Sequence, residues 1–382
     1  MRIVLLTRQL GIGGAERQMS YLANGLAAAG HDVTVLSFYR GGALTPLLDS
    51  ARVKLVCLDK RSRWDLLRFI ARFLSTLRAL RPTVIYSFLT VPNLLAALGG
   101  ATVARHAAVI WGIRGTSLEL VQYDWLARLS VAVERRLAGR ADVVIANATS
   151  GAAWLRATGF PPARIAVVAN GIDTEALAPP GPAARQAARL ALGCAPDDVV
   201  VAVVARIDPM KDHATFLDGF AAALAVRPAL RALLAGDGPP ALVAALRDRA
   251  ARLGIAARVT WLGAVPDTTG VYRAADLLCQ PSAFGEGFPN AVGEAMAAGL
   301  PCIATRVGDC AEILGPHGTL IPPRDPAALA SALCDFADRR AFHAERGRQA
   351  REWVVERFGL ARMVAATEAL LLQAARSHRR AA

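Results

Sequence analysis

Short apolar runs of strand length alternate along the chain with longer segments whose apolar positions recur at a helical period. Arg2 to Thr7 is the first such run, followed by a glycine-rich loop and a helix from about Gly14 to Ala29 with Gly30 as its stop. The same rhythm gives strands at Asp32 to Phe38, Val53 to Leu58, Thr83 to Phe88, Asp142 to Ala146 and Ile165 to Val168. Strands that are apolar throughout and separated by crossover helices predict a doubly wound parallel sheet. The uncharged stretch Pro82 to Ala104 is broken by Pro92-Asn93 and Gly99-Gly100, which fits strand, turn and helix better than a membrane span.

Ala178-Pro179-Pro180-Gly181-Pro182 can be neither helix nor central strand and marks a boundary. A second series follows at Val199 to Val204, Arg231 to Ala235, Val259 to Leu262, Leu277 to Gln280 and Cys302 to Thr305. The expected architecture is α/β, with two Rossmann-like domains, 1–177 and 183–358, facing across a cleft at the carboxyl ends of their strands. Residues 359–382 hold a helix from about Leu360 to Ala375, then a basic tail after Arg376 that reads as a frayed end.

Composition narrows the class. The 382 residues are 54% hydrophobic and 20% charged, which excludes disorder, and at about 150 residues per domain they suit two domains. The net charge of +13 invites a polyanionic partner, but the basic residues are dispersed and only 6% are aromatic, which argues against nucleic acid. Six cysteines without a C-x-x-C pair read as reduced thiols of a cytoplasmic protein. The first apolar stretch stops at Arg8, too short for a signal peptide.

The densest chemistry lies between Pro281 and Pro301. A loop with Glu286 leads through Phe288-Pro289-Asn290 into a helix starting near Ala291, with Asn290 as its cap and Gly299 as its stop. The amides of Ala291, Val292 and Gly293 and the positive helix end suit a phosphate. Glu294 suits a neutral diol such as a ribose, and Glu286 a hexose; each taken alone reads more readily as a dipole-complementing or solvated acid, and it is their spacing that points to a site. Arg206 and Lys211 flank Asp208-Pro209 after a buried strand, where two cations at a sheet edge could hold a diphosphate. Gly11-Ile12-Gly13-Gly14 opens the first helix but departs from G-x-G-x-x-G, because Glu16 occupies the third glycine position.

Glu286 and Glu294, eight positions apart in EGFPNAVGE, resemble the E-x7-E signature of retaining glycosyltransferases of family 4 with the GT-B fold. GIGGAERQ, ANGID, VARIDPMKDH, LLAGDGP, WLGAV and AADLLCQPS follow in the family's order. The resemblance implies a nucleoside-diphosphate-sugar donor held by the second domain, a glycan or lipid-linked acceptor held mainly by the first, and a C-terminal helix within 359–382 that returns to the first domain. It implies Arg206 and Lys211 on the donor pyrophosphate, and Glu286 with the Phe288 to Asn290 backbone on the transferred sugar. Glu294 would hold the ribose, Val265 would lie at the base, and Gly13 and Gly14 at the donor phosphate.

No D-x-D occurs and the six histidines lack ligand spacing, so neither metal nor cofactor is expected. Where family members carry an acceptor-side His, this chain reads AAVIWGIRG, so Arg114 takes that place either as an acceptor- or phosphate-binding group or as a surface ion pair. Glu16 is the second acceptor-side candidate. In Arg61 to Arg81, Leu66, Leu67, Phe69, Ile70, Phe73, Leu74, Leu77 and Leu80 gather opposite Arg68, Arg72, Ser75 and Thr76. Such a helix packs on the first sheet and could also face an anionic membrane, at the inner face of the cytoplasmic membrane. The expected activity is hexosyl transfer in cell-surface glycan synthesis; the alternatives are a nucleotide-sugar epimerase of the same fold and an NAD(P)-dependent oxidoreductase.

Overall fold

The computed structural model describes residues 1–62, 65–115 and 125–381 and divides the chain into two units, Met1–Gly171 with Leu360–Ala382, and Ile172–Gly359. In unit 1 the strands are β1 (Arg2–Thr7), β2 (Asp32–Ser37), β3 (Val53–Cys57), β4 (Val84–Phe88), β5 (Ala108–Ile113), β6 (Val143–Ala146) and β7 (Ile165–Val167). Its helices are α1 (Gly14–Ala28), α2 (Leu66–Leu80), α3 (Thr90–Thr102), α4 (Trp125–Leu137) and α5 (Thr149–Ala157). The sheet is parallel throughout, in the order β3-β2-β1-β4-β5-β6-β7.

Alternate residues of β1 enter opposite cores, as a strand buried on both faces requires. Ile3 and Leu5 pack with Met19, Leu22 and Leu26 of α1, whereas Val4 and Leu6 join Phe69, Phe73 and Leu77 of α2. The apolar side of the 61–81 segment is thus satisfied by the sheet through three residues, while Leu67 on its first turn stays exposed; residues 63 and 64 lie outside the described residues. Gly99 and Gly100 sit inside α3 and do not end it. A side chain at Gly99 would run into Leu77 and Phe73, and one at Gly100 into Val109, so the pair seats α3 against both α2 and β5.

Unit 2 contains α6 (Pro182–Ala191), β8 (Val199–Val204), α7 (His213–Val226), β9 (Leu230–Ala235), α8 (Pro240–Arg252), β10 (Val259–Gly263) and α9 (Thr269–Ala274). It continues through β11 (Leu277–Gln280), α10 (Asn290–Ala297), β12 (Cys302–Thr305), α11 (Cys310–Leu314), β13 (Thr319–Ile321), α12 (Pro326–Asp338) and α13 (Arg340–Phe358). Its parallel sheet has the order β10-β9-β8-β11-β12-β13, so the strand order reverses between β8 and β11. Each unit is therefore a Rossmann-like α/β domain. The border falls at Gly171/Ile172, and the proline-rich run Ala178 to Pro182 lies inside unit 2.

The last helix, α14 (Leu360–Ala381), packs Leu371, Ala374 and Ala375 into the α1 side of unit 1. Its end is not frayed. His378 reaches Asp142 at 3.1 Å and the Arg105 carbonyl at 2.9 Å, and His31 meets Glu368 at 2.8 Å. All six cysteines are free, and no described helix is long and apolar enough to cross a membrane. Gly99→Val should cost about 1–3 kcal/mol through overpacking between α2 and α3, read as a lower urea midpoint with an unchanged slope.

Candidate functional site

Parallel α/β sheets expose their ligand-binding edge where the strand order reverses. In unit 2 that point lies between β8 and β11, and the two loops leaving it are knitted together: Ala283 N–H donates to the Met210 carbonyl at 2.8 Å. Asp208 caps the turn after β8 by accepting from Met210 N–H at 2.9 Å, which brings Lys211 to the edge.

Lys211 and Glu286 meet there as an ion pair, with side chains 15% and 5% exposed. The same Glu286 oxygen accepts from the Ser282 hydroxyl and from Gln280 Nε2, the latter at 2.9 Å. Burial alone would push this carboxyl up, but Lys211 and the two neutral donors outweigh it and the net direction is down. Thr305 secures Ser282 in turn by donating to its carbonyl at 2.6 Å. Gly308, at φ +56°, lies so close to the Glu286 carbonyl that a Cβ there would collide with it, so the loop after β12 packs against the Glu286 backbone.

Arg206 has a different setting. Its side chain is 67% exposed and its nearest acid, Asp208, is 3.8 Å away. The structure thus supplies one buried, compensated cation and one adaptable surface cation, where the sequence suggested an equivalent pair.

Glu294 sits half-buried on α10 and accepts from the Tyr272 hydroxyl at 2.7 Å. Tyr272 is fully buried on α9, so its ring fixes the hydroxyl that orients this carboxylate. Glu286 and Glu294, close in sequence, therefore have separate partners. Asn290 does not cap α10. The helix begins at Asn290 with Pro289 in the capping position, a residue that makes no side-chain cap hydrogen bond. Val292 N–H is used by the Pro289 carbonyl at 3.1 Å, so the amide set starts earlier and is smaller than the motif suggested. Ala291 is buried beside them, and the Phe288 ring packs edge-on against Phe358 at 5.3 Å, leaving backbone as its contribution to the edge. Val265 lies half-buried after β10, beyond Gly263, whose φ of +66° turns the loop and whose carbonyl accepts from Gly236 N–H at 2.8 Å.

The remaining candidates belong to unit 1. Gly13 and Gly14 lie at the start of α1, and the Glu16 carboxylate folds back toward Gly13, where it complements the helix end. Arg114 follows β5 and is no surface ion pair. Its guanidinium stacks on the Phe88 ring at 3.9 Å and donates to Tyr86 Oη and Asn170 Oδ1, both at 3.0 Å, and burial draws its pKa down. Tyr272, Gln280, Ser282 and Tyr86 were not singled out from the sequence. Their role depends on hydrogen bonds to the motif residues, and although Gln280 and Ser282 lie within AADLLCQPS, nothing in that stretch marks them as partners of Glu286. Among the described residues no group of His, Cys, Asp or Glu is placed to hold a metal ion.

His213, two residues after Lys211, is buried with Nδ1 unpartnered. Burial, assisted by the Lys211 charge, pushes its pKa from 6.5 to about 4. The unfolded chain binds this proton more readily, so the neutral ring's contribution, about 3 kcal/mol, is present above pH 6.5 and lost as pH falls through about 4. His213→Gln should flatten the fall in melting temperature between pH 7 and pH 4; an unaltered slope would show that the imidazole does not titrate as its burial requires.

Residues 12–176 match the model of the family described as Glycosyltransferase Family 4, and residues 198–339 that described as Glycosyl transferases group 1. Among curated proteins, D-inositol 3-phosphate glycosyltransferase 2 of Catenulispora acidiphila is 34% identical over 246 residues, 61% of this chain and 56% of that protein. The lipopolysaccharide core biosynthesis mannosyltransferase LpsB of Rhizobium meliloti is 34% identical over 208 residues, 53% of this chain and 57% of LpsB. The chain spans about half the length of the curated relatives it matches. The crystal structure of Anabaena HepE in complex with UDP-glucose aligns over 97% of this chain and 99% of its own, with TM-score 0.85 and 23% identity, a likeness of fold.

Proposed function

The chain belongs to the family 4 glycosyltransferases of GT-B fold, and from that premise we propose that it transfers a hexose-type sugar from a nucleoside-diphosphate sugar to a hydroxyl acceptor with retention at the anomeric carbon. The observation that carries this reading is the buried Lys211–Glu286 pair at the strand-order reversal of unit 2, with exposed Arg206 on the same loop. Departure of the diphosphate leaves extra negative charge on its outer phosphate, and two cations of fixed and adaptable position answer that need without a metal ion.

In this reading Glu294, oriented by Tyr272, accepts from the ribose hydroxyls, and Val265 lies at the base. Glu286 keeps Lys211 in place through one oxygen and, with the Phe288 to Asn290 backbone, positions the transferred sugar. Gly13 and Gly14 leave backbone accessible to the donor phosphate, and Arg114 and Glu16 bind the acceptor. A guanidinium keeps its proton at physiological pH, so Arg114 binds and does not serve as a base. The acceptor is a lipid-linked or polysaccharide intermediate of cell-surface glycan synthesis, which fits the basic surface and the LpsB likeness. The protein then works in the cytoplasm, in contact with the inner face of the membrane.

A sugar-nucleotide panel read by thermal shift, followed by diphosphate release with and without lipid-linked acceptors, tests the assignment. Conversion of one sugar nucleotide to another without an acceptor, or a shift with NADH alone, would overturn it. Release that continues in EDTA supports the metal-free reading. Tyr272→Phe should raise the donor KM about fivefold with little change in kcat, since it loosens a ground-state contact. Arg206→Ala should lower kcat about 10²-fold, because its charge matters most as the diphosphate departs. Normal turnover in both variants would remove these roles.

A further inference from the structure

The outer face of α4 takes no part in the chemistry proposed above. Its inner face is fixed by Glu134, a buried carboxylate that accepts from Asn93 Nδ2 at 2.7 Å and from Thr90 Oγ1 at 3.0 Å, both in the first turns of α3. On the far side Trp125, Leu129 and Val133 recur every fourth residue and form one stripe, 73%, 50% and 38% exposed. Arg128 and Arg135 are exposed on one flank, and Arg136 is exposed on the stripe itself at its carboxyl end.

The topology says where this stripe lies. The crossover from β5 must deliver the chain to the amino end of β6, so α4 runs from the carboxyl edge of the sheet toward the amino edge. Glu134 already lies level with the start of α3, just past the carboxyl end of β4. Trp125, nine residues earlier, lies about 13 Å along the axis from Glu134, at the end of α4 nearer the carboxyl edge.

A second patch lies at the same edge, where the loops after β2 and β3 meet the start of α2. Arg40, Lys60, Arg61, Arg68 and Arg72 surround Asp59 in an open recess of about 410 Å³. Asp59 is already engaged by Arg40 and Arg72, leaving the recess strongly positive. Leu66 and Leu67 stand exposed beside it, Leu67 at 87%.

We propose that the outer face of α4 and the tip of α2 dock unit 1 onto a bilayer carrying anionic phospholipid headgroups. A soluble phosphate would need the cations but not the exposed Trp125, Leu129 and Leu67. Apolar anchors interleaved with arginines are the composition of helices that lie in the headgroup region, where buried area and charge attraction add. The contact gives the lipid-linked acceptor of the preceding reading its geometry and rests on that reading for its purpose, but it needs neither donor nor acceptor to form.

The test is co-sedimentation of the full chain with vesicles of phosphatidylglycerol and phosphatidylcholine, and with phosphatidylcholine alone. Binding to the anionic vesicles should exceed binding to the neutral ones about tenfold and fall as NaCl is raised. W125S/L129D and, separately, L67D should each weaken it severalfold, with melting temperature and sugar-nucleotide affinity unchanged because these side chains are exposed. Failure of the wild-type chain to bind anionic vesicles, or wild-type binding by both variants, overturns the proposal. Vesicle binding without any sugar-nucleotide affinity would instead sink the transferase reading and leave the docking intact.

Discussion

The contact on which the unit 2 edge depends is the buried pair between Lys211 and Glu286. Taking two charges out of water costs several kcal/mol per ion, and their attraction repays this only when the remaining lone pairs are also bonded. Here Ser282 and Gln280 add two hydrogen bonds to the oxygen that Lys211 meets, and the loops after β8, β11 and β12 converge around Glu286 and leave it buried. The ammonium is thereby held by a buried partner on another loop, so its position at the edge does not depend on the conformational freedom of its own stem. A fixed charge pays no ordering entropy when an anion arrives. Arg206, mostly exposed, supplies what a fixed charge lacks: reach.

Topology explains why these groups converge. Every unit 2 candidate follows the carboxyl end of a parallel strand or starts the helix after one, because parallel pairing points all those ends the same way. Unit 1 obeys the same rule: the glycine loop follows β1, Arg114 follows β5, and Leu89 turns the chain from β4 into α3. Leu89 does so at φ +76°, a backbone region costly for a branched side chain, and it is held there on both sides by hydrogen bonds, from its own N–H to the Gly112 carbonyl and from Asn93 N–H to its carbonyl.

The strands were legible because burial on both faces makes them apolar without alternation, which is why Arg2–Thr7, Val199–Val204, Leu277–Gln280 and Cys302–Thr305 coincide with their runs. β13 escaped notice, since Thr319–Ile321 is too short to form a pattern. The E-x7-E spacing located the site but not its wiring. Glu286 pairs with a lysine 75 positions earlier and Glu294 with a tyrosine 22 positions earlier, and separations of that kind leave no periodic trace. The Asn290 reading failed for a local reason: the helix begins one residue sooner, with Pro289 in the capping position. The basic tail misled because its anchor, Asp142, lies 236 positions away, and only folding turns His378 from a charged end residue into a clasp.

Charge compensation separates the cations of the two units. Lys211 enters the fold with a carboxylate, whereas Arg114 is held by a ring face, a phenol and an amide, all neutral. Burial lowers its pKa, yet a guanidinium begins so far above neutrality that it remains charged. Among the described residues no carboxylate pairs with it, and its Nε is buried without a partner. A desolvated cation is costly to hold, and here the ring face, the phenol and the amide offset that cost without a countercharge among the described residues. A guanidinium that keeps its proton has no lone pair to receive another, so Arg114 can donate hydrogen bonds at this edge and cannot act there as a base.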